Sequence, residues 1–509
     1  ADTIGVFQIE SRAQMSMLPR LKPRCYYDLV IQIAIVRPGP IQGEMVHPYL
    51  NRRSGREAIS YPSEAVKSVL ERTLGVPIFQ EQVMQLAMVA AGFSGGEADG
   101  LRRAMAAWKR KGGLEHYREK LVTGMLDRGY EPSFAEQLFN QIKGFGDYGF
   151  PESHSASFAL IAYVSSWLKC YHPAAFCCAL LNSQPMGFYA PAQLIKDAQR
   201  HGVEVLPAEV NESVVGCSLE ASDTVRASKA IESPDSSEWR KRPRVQGAAQ
   251  SQRLRIGFNL VKGLSAQAAV AIVEARRGGA YVSIQDLVFR TGIDRRDLEA
   301  LAAADALRGL AGDRHRAFWH AAGVITAQGY AVSHSRAGSL AHADRPIADL
   351  FDDAASGDSD FGLGVMLPLA SESQNVAGDY AATGFTLRRH PLALLREHLD
   401  CFGANSSAQL GKLGNDQATK VAGLVTCRQR PMTASGVTFL TLEDEAGHMN
   451  VVVWPALGER LRPILRQAML IGVVGRVRES EGVIHVIADN LVDLTSWLGE
   501  LSLSSRDFT

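Results

Sequence analysis

Apolar residues recur at helical spacing through the first third of the chain. The stretches 64–72 and 78–91 place apolar side chains at i, i+3 and i+4, the pattern of helices that bury one face. Similar stretches continue to about Ala179, separated by proline and glycine segments such as Arg37-Pro38-Gly39-Pro40. A short apolar start over residues 4–9 is expected to be a strand. The pattern predicts a mainly α-helical domain over residues 1–182.

Apolar and polar residues alternate with the period of β-strands near the end of the chain, where five strands and one helix, 457–467, are predicted. The helix falls between the third and fourth strands, which is typical of an OB-fold, here over residues 419–495 with a tail at 496–509. This fold binds single strands through basic and aromatic groups, but few exposed aromatics are expected here. A structural or protein-binding role therefore stays open. The predicted strands are 421–428, 437–443, 449–454, 469–477 and 483–489.

The middle of the chain contains a glycine turn before an alanine-rich helix. Lys262, Gly263, Leu264 and Ser265 have the pattern of a helix-hairpin-helix, whose backbone N–H groups hold a DNA phosphate without reading bases. The alternative is a plain helical turn with glycine after the helix end. A looser second copy is predicted over residues 298–310.

The predicted domain order follows from these patterns and the polar stretches between them. The chain is predicted to be multidomain, with a mainly α-helical first domain and a helix-hairpin-helix domain followed by an all-β OB-fold. The bounds are 1–182 for the first helical domain, 183–221 for a connecting segment, 222–252 for a linker or mobile insertion, 253–325 for the helix-hairpin-helix domain, and 326–418 for a polar linker and helical connector.

Charge and cysteine content narrow the function classes. The 509 residues carry 54 lysines and arginines against 54 aspartates and glutamates, so a nucleic-acid binder of this balance must gather its cations locally. The seven cysteines show no zinc-binding spacing and fit a reducing cytoplasm. No apolar run reaches membrane-spanning length, so no membrane partner is expected. Asp358-Ser359-Asp360 lies in a polar segment without a strand to fix its geometry, and we expect no metal site there.

Two stretches offer residues for binding a polyanion. Arg102 and Arg103 stand side by side near the start of a predicted helix that also carries Glu97 and Asp99. Adjacent guanidinium groups can pair phosphate oxygens bidentately, although a solvated basic face is the alternative. In the second stretch, His154 lies between two serines at the start of a long, predicted apolar helix.

Several motifs resemble, in order, the C-family bacterial DNA polymerases, which are the alpha subunits of DNA polymerase III. They are GVFQIESRAQM, VRPGPIQGEMV, PIFQEQVM, GEADGLRRAM, YGFPESHSASFALIAYVSSWLK and LVKGL, and the resemblance covers nearly the whole chain. PESHSASFAL, ALLNSQPMGFY and GFTLRRHPLALLR are similar to the error-prone, damage-tolerance branch of ImuC type. The chain starts without methionine and is expected to be the C-terminal portion of such a protein.

The resemblance implies specific roles for the candidate residues. Residues 1 to about 180 resemble the fingers, in which Arg102, Arg103 and His154, with Ser153 as a lesser candidate, face the triphosphate of an incoming dNTP. The hairpin turn 262–265 is similar to the element that grips primer–template DNA. The implied cofactor is Mg²⁺ in the full-length enzyme.

The family's three metal-binding aspartates have no match in this sequence. No catalytic residue and no metal ligand is therefore expected in the chain, and the fragment alone is predicted to be inactive. Glu152 stands where many replicative relatives have lysine. Ile347-Ala348-Asp349-Leu350-Phe351 is a poor match to a sliding-clamp peptide, so clamp binding is expected to be indirect, through accessory damage-tolerance proteins.

Three functions remain open at this point. The first is part of an error-prone DNA-directed DNA polymerase that synthesises past lesions. The second is a non-catalytic DNA-binding or scaffold module, and the third is a fragment of a replicative polymerase III alpha subunit.

Overall fold

The computed structural model describes residues 2–37, 40, 45–111, 114–144, 150–186, 189–221, 252–323, 367–430, 436–480 and 483–501. The chain forms two compact units, Ala1–His172 and Pro173–Thr509. Nearly all of the predicted linker 222–252, the pair Asp358 and Asp360, and the segment Ile347–Phe351 lie outside the described residues.

The first unit is helical, as the spacing of apolar residues predicts. Side-chain caps begin several helices: Ser11 accepts from the N–H of Gln14, and Ser63 from that of Val66. The expected strand over residues 4–9 is wrong, since these residues form turns and bury Val6 and Ile9 in the helical core. The helices are Arg12–Leu21, Tyr26–Ile35, Val46–Arg53, Glu64–Leu70, Gln80–Ala91, Gly95–Lys111, Leu114–Leu126, Pro132–Gly144 and Glu152–Tyr171.

The first unit has one apolar core, to which most of its helices contribute. The helix Tyr26–Ile35 is buried along much of its length and packs against Glu152–Tyr171. The helix Leu114–Leu126 approaches Gln80–Ala91 closely at Gly124, where a Cβ would lie 2.2 Å from the carbonyl oxygen of Ala91. Only glycine permits this approach of the two backbones.

The second unit begins with the helices Pro173–Asn182 and Pro191–Arg200 and a small sheet. The sheet comprises β1 (Val205–Leu206), β2 (Ser218–Ala221) and β3 (Gln252–Arg255), with β3 in the centre, parallel to β1 and antiparallel to β2. A group of short helices follows, in which Ser265, Ser283 and Asp294 each cap a helix start. These helices are Ala266–Ala275, Ile284–Thr291, Arg295–Ala303 and Arg308–Ala311, with residues 314–323 also helical.

The connector before the barrel is helical where it is described. Its helices are Glu372–Ala382, Pro391–Leu394, Arg396–Phe402 and Ser407–Leu410.

The last domain is a closed five-stranded barrel. Its strand order is β4-β5-β6-β8-β7, with a parallel pairing of β6 and β8 and antiparallel pairings elsewhere. Two short helices, Pro455–Arg460 and Arg462–Gln467, replace the single predicted helix between β6 and β7. The predicted fold class is thereby confirmed. The strands are β4 (Ala418–Gln429), β5 (Thr438–Glu443), β6 (His448–Val453), β7 (Leu470–Ser480) and β8 (Val483–Asp493).

Candidate functional site

Both predicted arginines are held by one carboxylate on their own helix. Arg102 Nε donates to Asp99 Oδ1 at 2.9 Å, and Arg103 Nη2 lies 3.0 Å from Asp99 Oδ2. The side chains remain 41% and 69% exposed, so the two guanidinium groups stand side by side at the surface. Only one nitrogen of Arg103 is paired in the described structure, which leaves the rest of its donor edge available to an anion.

The start of this helix, Gly95–Lys111, is fixed by a reciprocal cap. Glu97 accepts from the N–H of Ser94 at 2.9 Å, while the N–H of Glu97 donates to the Ser94 hydroxyl at 3.4 Å. Glu97 also pairs with the ammonium group of Lys120. The hydrogen bond from Lys120, and then that from the Ser94 backbone, lowers the pKa of Glu97 to about 2. The two carboxylates near the arginines thus have separate partners, since Asp99 binds both arginines and Glu97 binds Lys120.

The imidazole of His154 lies between two phenylalanine rings. Its centroid is 5.1 Å from that of Phe150 and 4.1 Å from that of Phe158. The guanidinium carbon of Arg37 lies 4.7 Å from the Phe150 centroid, on a segment in which the sequence offered only a rigid turn. Within the described part of the chain, neither imidazole nitrogen of His154 has a hydrogen-bond partner, so both remain open to a ligand.

Backbone and side-chain hydrogen bonds anchor the helix start that carries Ser153 and His154. Glu81 accepts from the N–H of Glu152 at 2.9 Å, and Ser155 donates to the carbonyl oxygen of Val30 at 2.5 Å. Ser153 itself is exposed. The sequence did not indicate this positioning contact of Glu81, because nothing in a local pattern shows a partner 71 residues away.

Glu152 is committed to structural contacts in this structure. Tyr27 donates its hydroxyl to Glu152 Oε1 at 2.7 Å, and Arg72 Nη1 lies 3.3 Å from the same oxygen. Burial, together with the Glu152 carboxylate, raises the pKa of Tyr27 well above its usual range. The negative charge beside His154 is therefore partly neutralised by Arg72.

The helix Gln80–Ala91 connects the two candidate elements. Residues at its start bond to the segment 150–152, through Gln80 N–H to the Phe150 carbonyl and through Glu81. At its other end, Gly92 adopts a positive φ of 71°, and the helix Gly95–Lys111 then packs back against it. No hydrogen bond or ion pair joins the arginine pair to His154 among the described residues. That they face one shared cleft stays a prediction.

The predicted DNA-binding turn is docked against the connector. Lys262 donates its ammonium group to the carbonyl oxygens of Tyr380 and Ala381, at 3.1 and 3.2 Å, and so caps the C-terminal end of the helix Glu372–Ala382. Gly263 has φ of +87°, the left-handed conformation that a tight turn requires. The sequence did not show that the lysine already has carbonyl partners.

Ser265 begins the helix Ala266–Ala275 and binds a buried carboxylate. Its N–H and hydroxyl donate to Asp297 at 2.7 and 3.0 Å, and its hydroxyl accepts from the N–H of Ala268. Three of the turn's backbone donors are thus used internally: the N–H of Ser265 by Asp297, that of Lys262 by the carbonyl oxygen of Ala382, and that of Leu264 by the carbonyl oxygen of Val261. The N–H of Gly263 has no partner within the described residues.

The looser second hairpin around Asp305 faces protein. Asp305 has φ of +58°, its carboxylate pairs with Arg388 at 2.8 Å, and the carbonyl oxygen of Ala306 accepts from the N–H of Val210. A turn used in this way offers little to a DNA phosphate.

The barrel presents cations that are mostly paired. Arg478 lies 3.0 Å from Asp416, and Arg430 lies 3.1 Å from Glu459. Trp454, at the end of β6, is an exposed aromatic residue. These features leave both nucleic-acid and protein binding open for this domain.

The carboxylates nearest the arginine pair do not fit a metal site. Asp99 is shared by two guanidinium groups and Glu97 is bound by Lys120, so neither presents free oxygens to a divalent ion. Among the described helices, none combines the length and unbroken apolarity of a membrane span.

Comparison with protein-family models finds three domains in this order. Residues 1–129 match the bacterial DNA polymerase III alpha subunit finger domain, residues 202–317 a helix-hairpin-helix motif, and residues 419–494 an OB-fold nucleic acid binding domain. In this set of domains the chain is similar to the C-family bacterial DNA polymerases.

Within that class, the chain is similar over its whole length to proteins named error-prone DNA polymerase. It is 58% identical to one from Methylococcus capsulatus, 54% to one from Pseudomonas savastanoi pv. phaseolicola and 52% to one from Alkalilimnicola ehrlichii. All of this chain is covered in each case, but only 46%, 45% and 45% of the respective relatives. The chain therefore spans less than half the length of these relatives. The resemblance to the error-prone branch is confirmed, and the assignment to a C-terminal portion stays a prediction.

Proposed function

We propose that this chain is part of an error-prone DNA-directed DNA polymerase that copies damaged templates. The observation that carries the proposal is identity of 52–58% over the entire chain to proteins bearing that name. A replicative alpha subunit fragment is the weaker alternative, because the first relatives found are all error-prone enzymes.

In the complete enzyme, Arg102 and Arg103 bind the triphosphate of the incoming dNTP. This assignment is supported by the exposure of both guanidinium groups and by the Asp99 carboxylate, which holds them side by side. Two fixed guanidinium groups neutralise phosphate charge without first being ordered, so less entropy is lost on binding. Asp99 is the positioning residue for both arginines.

His154 supplies a further donor or acceptor to the same phosphates, with Ser153 beside it. The Phe150 and Phe158 rings fix the plane of the imidazole, and its two nitrogens face no protein partner in the described structure. Mg²⁺, held by carboxylates outside this chain, would neutralise charge on the phosphates and align the attacking hydroxyl. By this proposal the 509 residues alone bind substrates but do not join nucleotides.

Arg103→Ala in the full-length protein tests the nucleotide site. Losing one charged phosphate contact costs about 1.5–3 kcal/mol, so kcat/KM for dNTP should fall roughly 10- to 100-fold in steady-state primer extension. Arg389→Ala is the matched control, because Arg389 is a similarly exposed arginine in an ion pair, with Glu372. Equal nucleotide kinetics for wild type and Arg103→Ala would defeat the assignment.

We also propose that the chain binds primer–template DNA through the turn 262–265 and the barrel. The presence of a helix-hairpin-helix motif and an OB-fold nucleic acid binding domain supports this. The same observation supports the alternative of a non-catalytic DNA-binding or scaffold module that docks accessory damage-tolerance proteins.

Two measurements distinguish DNA binding by a polymerase from a non-catalytic or protein-docking role. The first is a salt titration of DNA binding by the 509-residue chain. Duplex affinity should fall steeply with salt, with a slope of about 0.9 per phosphate contact in a plot of log K against log salt. A flat response, or no DNA binding, would favour protein docking. Primer extension by the full-length protein distinguishes the polymerase from the non-catalytic module.

A further inference from the structure

The helix Glu152–Tyr171 carries an uncovered apolar face along its second half. The side chains on this face range from 37% exposed at Leu168 to 56% at Leu160. They recur at i, i+3, i+4 and i+7, so they form one continuous stripe about 12 Å long. The stripe, named here the 160–168 face, consists of Leu160, Ile161, Tyr163, Val164, Trp167 and Leu168.

The opposite side of the same helix is firmly packed. Ala159 and Ala162 are fully buried, and Ser155 is bonded to the backbone of the helix Tyr26–Ile35. The orientation of the helix is therefore set by its buried side, and the 160–168 face is held outward by that packing. Contiguous exposed apolar residues of this size are typical of an interaction site.

The 160–168 face lacks the exposed cations that a phosphate ligand would require. Between Ser157 and Tyr171 the sequence has one charged residue, Lys169. That lysine is buried, and its ammonium group is bound by the carbonyl oxygen of Ile4 at 2.9 Å and by Asp2 at 2.8 Å. A nucleic-acid surface needs exposed cations, so the occupant is an apolar protein surface.

We propose that the 160–168 face is the binding surface, or seat, for another part of the same polymerase. That part is the portion that the relatives contain in addition to the one matched by this chain. The inference rests on the proposed function. The relatives provide the occupant, since this chain covers 46% or less of their length. A permanent contact within one polypeptide also explains the absence of a polar pattern, because obligate interfaces resemble a domain core cut in half.

This placement has a consequence for the candidate nucleotide site. Ser153 and His154 lie in the first turn of the same helix, fixed by Glu81 and Val30. A domain seated on the 160–168 face is thereby held at a set distance from the His154 imidazole by one rigid helix.

Site-specific thiol labelling tests the seat. Ile161→Cys lies in the face, and Ile59→Cys is the matched control, because the two isoleucines are 46% and 42% exposed and Ile59 lies outside the stripe. Each variant is made in the 509-residue chain and in the full-length protein that contains it. Maleimide incorporation is followed by peptide mass spectrometry, which also separates the native exposed Cys25, Cys170 and Cys401.

The thiol of the Ile161→Cys variant should label at least about tenfold more slowly in the full-length protein than in the 509-residue chain, because reaction requires access to the thiol. The thiol of the Ile59→Cys variant should label at equal rates in both. Equal rates at position 161 in the two proteins overturn the proposal. The proposal is also overturned if position 161 becomes protected in the 509-residue chain as the protein concentration rises. That result would assign the face to contact with a second copy of the chain.

Primer extension on the same full-length samples keeps the two proposals separate. If the full-length Ile161→Cys protein extends primers but its introduced thiol is not protected, the seat is rejected and the polymerase assignment stands. Protection without extension rejects the polymerase assignment and leaves the seat standing.

Discussion

Asp99 decides how the arginine pair is presented to solvent. Its two oxygens each take one guanidinium group, Arg102 at 2.9 Å and Arg103 at 3.0 Å. All three side chains are well exposed, so the pairs contribute little to stability. Their effect is on geometry, because two flexible side chains are restricted to neighbouring positions before an anion arrives.

Another single residue controls a pH dependence in the second unit. His390 is 7% exposed, its Nδ1 accepts from the N–H of Leu392 at 3.1 Å, and its Nε2 lies 3.8 Å from Glu443, which also pairs with Lys196. Burial, and then the Lys196 ammonium, lowers the pKa of His390 to about 4. The imidazole is therefore neutral in the folded protein at pH 7.

We predict that His390→Asn flattens the acid dependence of stability. Below pH 6.5 the histidine binds a proton in the unfolded chain, whereas in the folded protein it stays neutral until about pH 4. The free energy of unfolding therefore decreases, by up to about 3 kcal/mol, as the pH is lowered from 6.5 to 4. Asparagine keeps a helix-capping oxygen and does not titrate. Urea unfolding between pH 7 and pH 4 measures the change. The exposed His47→Asn is the control, and an unchanged profile for His390→Asn would contradict the assignment.

At the scale of elements, capped helix starts organise the helix-hairpin-helix domain. Ser265, Ser283 and Asp294 each accept a backbone N–H in the first turn. Two of the domain's positive-φ glycines adjoin these helices, Gly263 at 87° before Ala266–Ala275 and Gly292 at 65° after Ile284–Thr291. Only the turn at Gly263 is proposed to hold phosphate.

The pair Gly263→Ala and Gly292→Ala separates strain from DNA binding. Each places a Cβ on a left-handed residue without a clash, the nearest atom being Ala300 Cβ at 3.7 Å for Gly263, so each should lose roughly 1–2 kcal/mol of stability. Gly263→Ala should in addition weaken duplex binding roughly fivefold, through one disturbed backbone contact of about 1 kcal/mol. Thermal melts and fluorescence anisotropy measure the two effects. Equal duplex affinity for the two variants would remove the turn from the DNA site.

At the scale of the second unit, a buried ionic network ties the connector to the helix-hairpin-helix domain. Asp379 receives Arg314 at 2.5 Å, Arg388 at 3.2 Å and the Thr386 hydroxyl at 2.7 Å. Arg388 also reaches Asp305 at 2.8 Å. Gly378 makes room for this network, since a Cβ there would lie 2.2 Å from Arg314 Nη1.

Asp379→Ala should therefore destabilise the second unit strongly. Removing the carboxylate leaves Arg314, which is 7% exposed, with a buried and uncompensated charge, and such losses cost about 3–5 kcal/mol. Asp400→Ala, which removes a 64% exposed carboxylate lying 3.8 Å from Arg396, should change stability by less than about 0.5 kcal/mol. Urea denaturation of both variants is the measurement. A similar small change for both would show that the network is dispensable.

Much of the fold follows from local pattern. The helices predicted over 64–72 and 78–91 and the five predicted barrel strands agree with the structure to within about four residues, because apolar periodicity records which face of an element is buried. The apolar helical pattern that continues to about Ala179 belongs to two helices, since Glu152–Tyr171 ends before Pro173. The helices Ile284–Thr291 and Arg295–Ala303 were not predicted, since they are short and their apolar positions are few.

The sequence by itself determined the order of domains, the residue types of the phosphate-binding candidates and the resemblance to C-family polymerases. Only the tertiary structure decided that Asp99 takes both arginines, that Glu81 caps the helix of His154, that Lys262 is bound to carbonyl oxygens and that the Asp305 turn faces protein. The physical reason is that periodicity fixes the buried face of each element separately. Ion pairs and hydrogen bonds across 71 or 118 residues depend on which faces then meet.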